Sequence, residues 1–144
     1  MEIKVINLSK HSLPCHATSG SSGIDLRANI SVDIEIKPMQ RSLVKTGLYM
    51  SIPCGYEGQI RPRSGLALNH GITVLNSPGT IDSDYTGELK VLLINLSCDS
   101  FILRDGDRIA QLVISSYECI ECIEVKTLEK TVRGHGGYGS TGIE

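Results

Sequence analysis

The chain has 144 residues, enough for one domain with an adequate core. Charged residues make up 21% and hydrophobic ones 40%, the balance of a globular protein rather than a disordered one. A net charge of −2 argues against a protein that coats nucleic acid, and no apolar run reaches the ~18 residues of a membrane span.

The first residues, MEIKVINLSK, have neither the charged–apolar–small order of a signal peptide nor the Arg-rich character of a transit peptide. Cysteines number five, Cys15, Cys54, Cys98, Cys119 and Cys122, an odd count that fits reduced thiols in a cytoplasm. Cys119 and Cys122 form a single C-x-x-C without the second ligand pair that structural zinc needs.

From Ile24 to Ile36 apolar and polar residues alternate strictly, which predicts strand with one face buried and, at that length, a bend near Asn29. Leu48, Met50 and Ile52 continue the pattern. After Pro62 the stretch SGLALNHG predicts one short helix, with Ser64 as N-cap and Gly71 as its stop. Leu89–Leu96 is apolar on both faces, as in a strand covered on both sides. Arg104-Asp105-Gly106-Asp107-Arg108 has the chemistry of a hairpin turn between FIL and IAQLVI. No other window carries a helical stripe, so the expected class is all-β: a sandwich, barrel or jelly roll.

The composition breaks near Val132, dividing the chain into a β-domain, 1–132, and a glycine-rich arm, 133–144. Within the arm Gly134, Gly136 and Gly139 match G-x-G-x-x-G, but that pattern has physical content only at a strand-to-helix turn, and too few residues follow for a helix. Two readings of the arm remain: a frayed end, or a segment whose free N–H groups and Arg133 face phosphate oxygens.

Polar blocks interrupt the strands at SSGIDLRA, RPRSGLA, NSPGTIDSDYTGELKV and RIAQLVI, and the arm supplies RGHGGYGSTG. In this order and spacing they resemble the motifs of the trimeric deoxyuridine triphosphatase (dUTPase) family. The resemblance implies a jelly-roll-like β-barrel, a homotrimer with active sites shared between subunits, and Mg²⁺-assisted hydrolysis of dUTP to dUMP and diphosphate. By the same resemblance Asp82 is the water-activating carboxylate, where the bare residue pattern would equally allow an Asp capping its own turn. Tyr85 matches the ring under the deoxyribose, which leaves no room for a 2′-hydroxyl; otherwise it reads as a core or interface tyrosine. Asn76, Gly79, Thr80 and Ile81 match a base-reading hairpin, with a backbone contact from Lys90. Arg63, Ser64 and Gly65 match the phosphate-binding block, and Gln111 a phosphate-side amide. Asp25 matches a carboxylate that meets the metal through water, Mg²⁺ being held mainly by the substrate's phosphates; its alternative is an ordinary outward charge. In the arm, Arg133 and Ser140, with Gly139 between Tyr138 and Ser140 and help from Thr141, match the γ-phosphate grip, and Tyr138 stands where the family usually stacks a Phe on uracil. Two alternatives keep the same scaffold: a dCTP deaminase, and a nucleotide sensor without catalysis.

Overall fold

The structure is a computed structural model that describes residues 1–138 and 140. Ten strands and one helix follow each other along the chain: β1 Lys4–Asn7, β2 Gly23–Arg27, β3 Ile34–Ile36, β4 Arg41–Ser51, β5 Tyr56–Arg61, α1 Ser64–His70, β6 Ile72–Val74, β7 Gly79–Ile81, β8 Glu88–Asn95, β9 Phe101–Leu103 and β10 Arg108–Ser116. They form two four-stranded sheets, ordered β1-β4-β8-β6 and β2-β10-β5-β7, and a pair β3-β9. All pairings are antiparallel. The all-β expectation holds. Among the described residues, though, the strands make three separate sheets, and no pairing closes them into a barrel.

One core lies between the sheets. Leu26 comes from β2, Ile36 from β3, Val44 from β4, Leu93 from β8, Leu103 from β9 and Leu112 from β10, all but fully buried in a single cluster. Leu48, Met50 and Ile52 are buried as their alternation predicts.

The Ile24–Ile36 alternation turns out to be two strands in two sheets rather than one bent strand. At the corner the Ala28 N–H bonds the Asp107 carbonyl while the next N–H, of Asn29, bonds that of Lys45. Backbone pairing is thereby handed from one part of the fold to another. Burial follows the alternation as far as Ala28 and fails at Val32, which is 75% exposed. The Arg104–Asp107 turn is present, with an Asp107 N–H to Arg104 carbonyl bond and Gly106 at φ +84°, but it joins no hairpin. Its two strands pair elsewhere, β9 with β3 and β10 with β2 and β5. Asp105 pins this turn to the chain: it accepts from the Ile30 N–H, and His11 and Lys10 lie against it, so its carboxyl is held below the ordinary value.

Strand β8 is covered on one face only. Leu89, Val91 and Leu93 are buried, while Leu92 and Ile94 are half-buried on the opposite face, beside the exposed Leu43. Helix α1 starts one residue earlier than an N-cap at Ser64 implies. Arg63, still extended at φ −99° and ψ 128°, is the cap residue, and its carbonyl accepts the first helical bond, from Ala67. Gly71 stops the helix as expected, in the left-handed conformation at φ 64°.

Candidate functional site

Strands β2, β10 and β5 lie side by side and align Asp25, Gln111 and Arg61 across the sheet. Beyond Arg61 comes Pro62, which has no N–H for a ladder, and the chain leaves the sheet toward α1. That exit lays Arg63 back across the strands. Its Nε donates to Asp25 Oδ1 at 3.0 Å and its Nη1 to the Arg108 carbonyl at 3.1 Å. Arg108 Nη1 donates to Asp25 Oδ2 at 3.1 Å. One carboxylate thus sits between two guanidinium groups, and the cluster keeps a net positive charge. Gln111 Nε2 donates to the Pro62 carbonyl at 3.0 Å. Its side chain lies over Gly23, where a Cβ would stand 2.6 Å from Gln111 Oε1, so a larger residue there would have to displace the Gln111 amide. Ser64 and Gly65 are exposed at the start of α1, and the volume beside Gly65 is open.

A second group lies between β6 and β8. The expected base-reading hairpin is instead a crossing: residues 75–78 pass from β6 in one sheet to β7 in the other, and β7 pairs only with β5. Ser77 Oγ ties this loop to the Val74 carbonyl. Gly79 is buried, and the Asn76 amide lies 3.1 Å from where a Cβ on it would be. Thr80 and Ile81 pair with Gln59 and Gly58. A turn follows, closed by the Tyr85 N–H on the Asp82 carbonyl at 3.1 Å. The backbone oxygen makes this bond. The Asp82 carboxylate is exposed and engages no donor among the described residues, which is not the self-capping alternative. Tyr85 folds back over Gly87 and donates its hydroxyl to the Glu88 carbonyl at 3.0 Å. Lys90 is exposed on β8, directly opposite Lys45.

The two groups do not meet within one chain. Strand β5 separates β10 from β7, and Asp82 lies past the end of β7 on the sheet's edge. A cavity of about 180 Å³ holds Asp25 and Arg108, and another of about 370 Å³ holds Arg63 and Arg108; neither contains Asn76, Asp82 or Tyr85.

The profile of the dUTPase family matches residues 9–142. The chain belongs to the dUTPase family. A deoxyuridine 5′-triphosphate nucleotidohydrolase of Finegoldia magna is 54% identical over 99% of both chains. One of Treponema denticola is 60% identical over 91% of both. Among solved structures, the dUTPase of Staphylococcus bacteriophage 80alpha with dUPNHPP superposes at a TM-score of 0.88, with 26% identity over 99% of both chains.

In this dUTPase-family chain the described residues of the arm hydrogen-bond within their own segment and to neither group. After β10 ends at Ser116, residues 117–138 form no strand or helix and are almost wholly exposed. Arg133 Nε donates to the Gly136 carbonyl at 2.8 Å, so its charge is turned onto its own segment. Tyr138 is fully exposed, and the Ser140 N–H bonds the Gly137 carbonyl. Gly139 and Thr141 lie outside the described residues.

The residue that sequence reasoning passed over is Arg108. It stood at the head of the RIAQLVI block with no assigned partner, and a charge just before an apolar strand ordinarily faces water. Only the β2–β10 register brings it to Asp25. As for metal, no group of three or more His, Cys, Asp or Glu among the described residues could hold an ion. A lone carboxylate fits Mg²⁺ only in its substrate-borne mode, with phosphate oxygens and water as ligands. Asp25, 28% exposed, is open to water.

Proposed function

We propose that the chain is a dUTP diphosphatase, hydrolysing dUTP to dUMP and diphosphate by attack of water on the α-phosphorus. The reading is carried by family membership along nearly the whole chain, with Asp82 and Tyr85 standing on the exposed turn after β7. Asp82 takes the proton from the attacking water; a carboxylate without intramolecular partners is available for that task. Mg²⁺ bound to the triphosphate would neutralise developing charge on its oxygens, with Asp25 reached through water. Arg63, Ser64, Gly65 and Gln111 receive the phosphates. Tyr85 supports the deoxyribose and excludes a 2′-hydroxyl. The segment from Asn76 to Ile81, with Lys90 nearby, reads the uracil edge through backbone groups and one amide. The arm, 133–144, closes as a lid: Arg133, Gly139 and Ser140 meet the γ-phosphate, and Tyr138 stacks on the base.

The working unit is a homotrimer. Two features support it. The phosphate-side and base-side groups stay apart within one chain, so a complete site needs a neighbour. The face of β4 and β8 turned from the core carries Leu43, Leu92 and Ile94, an apolar surface suited to packing against a second copy. The five free, exposed cysteines suit a reducing cytoplasm, where hydrolysis of dUTP keeps uracil out of DNA and supplies dUMP for thymidylate synthesis. A substrate panel with Mg²⁺ tests the reading. dUTP should be hydrolysed far faster than dTTP, dCTP or UTP. Comparable turnover of UTP would remove Tyr85 from the sugar, and ammonia release from dCTP would favour a deaminase.

A further inference from the structure

The Arg63 side chain is long and rotatable, so its use as a phosphate receptor depends on what fixes it. Both of its hydrogen bonds lead to Arg108: one directly, to the Arg108 carbonyl, and one through Asp25, whose other oxygen is bound by Arg108 Nη1. Two of the five guanidinium N–H groups of Arg63 are engaged in this way, and its Nη2 edge is free among the described residues. A carboxylate gripped from one side can rotate; gripped from both, it presents a fixed oxygen to Arg63 Nε.

The local backbone is built around this contact. The β2–β10 register shifts between Arg108 and Ala110, leaving Ile109 as the extra residue. Bulges of this kind re-aim a side chain next to a functional site. Before the shift Arg108 stands directly opposite Arg27, a like-charge pair that destabilises a ladder. The conflict is relieved by turning the two apart: Arg27 Nη1 donates to the Gly106 carbonyl at 2.8 Å, and Arg108 turns to Asp25.

We infer that Arg108 is a positioning residue for the reaction: through Asp25 and its own carbonyl it holds the Arg63 guanidinium in the orientation that receives the triphosphate. The inference rests on the reading of Arg63 as a phosphate-binding residue. Nearly half of the Arg108 side chain is exposed, and its loss leaves no buried polar atom unpaired, so variants at 108 should fold.

A double-mutant cycle tests it. The affinity of a non-hydrolysable imido analogue of dUTP, with Mg²⁺, is measured for the native protein, Arg63→Met, Arg108→Met and the double variant, and melting temperature is followed in parallel. Arg63→Met should weaken binding by on the order of 10-fold or more, the scale of a charge-assisted hydrogen bond. Arg108→Met should also weaken it, and Arg108→Lys should restore part of the loss by returning a cation to Asp25. In the Arg63→Met background, Arg108→Met should cost nothing further. Additive losses would overturn the inference, because Arg108 would then touch the ligand itself, reach the metal through Asp25 without Arg63, or act on the fold as a whole. Normal affinity in Arg108→Met beside a weakened Arg63→Met would overturn it alone. Normal affinity in Arg63→Met would remove the phosphate reading of Arg63 and the inference with it.

Discussion

At the scale of single residues, the Asp82 carboxylate faces solvent without a partner among the described residues, which leaves it free for the proposed role as base. Asp82→Asn keeps the shape and removes the proton acceptor. Its kcat should fall on the order of 10²-fold or more, the scale of general-base removal, while the dUTP analogue still binds. A near-native kcat would take the base role away from Asp82. Asp25 shows what was legible at this scale and what was not. Its outward position in β2 follows from alternation, and its family motif marks it as a site residue. Its partners do not follow, because Arg63 and Arg108 lie 38 and 83 residues away and only the strand register joins them. Tyr85 is similar: the sequence identifies the ring, but its fold over Gly87 depends on a turn that no periodicity specifies.

At the scale of elements, local signals in the sequence suffice where the element is decided locally. The α1 stop needs a left-handed residue, and Gly71 supplies it. The position is doubly constrained, since a Cβ there would stand 2.8 Å from Ser97 Cβ and 2.9 Å from the Ser97 N. Gly71→Ala should therefore destabilise the fold by about 1–3 kcal/mol, against the stabilisation that such a change brings where the backbone allows it. Urea unfolding measures this; a change within about 0.5 kcal/mol would mean that the helix end relaxes without strain. Non-local pairing was not legible. The alternation from Ile24 to Ile36 gave the buried face but not the change of sheet at Ala28–Asn29, because a period of two is blind to which strand lies alongside. The Arg104–Arg108 turn stands where its residues predict it, but its neighbours form no hairpin: adjacency in sequence is a prior for pairing, and here β3 and β2 compete for those strands.

At the scale of the whole molecule, the separation of the two residue groups makes a specific claim about assembly. If Asp82 and the arm that serves it come from different subunits, two dead variants should rescue each other. Asp82→Ala lacks the base, and a chain ended at Val132 lacks the lid. When the two are unfolded together and refolded in equal amounts, about three quarters of closed trimers are mixed, and each mixed ring has one working site in three. Activity should return to about a quarter of native by that count. A mixture proven to contain mixed trimers, yet inactive, would mean that each arm closes over its own subunit. The assembly was legible only through the family resemblance, since nothing local marks Leu43 and Leu92 as a contact rather than a solvated face. The central claim, hydrolysis of dUTP at the α-phosphorus, is tested most directly by turnover in ¹⁸O-water followed by mass analysis of both products. The account predicts one ¹⁸O in the phosphate of dUMP and none in diphosphate. Label in diphosphate would place the attack on the β-phosphorus, and failure to form dUMP at all would contradict the activity itself.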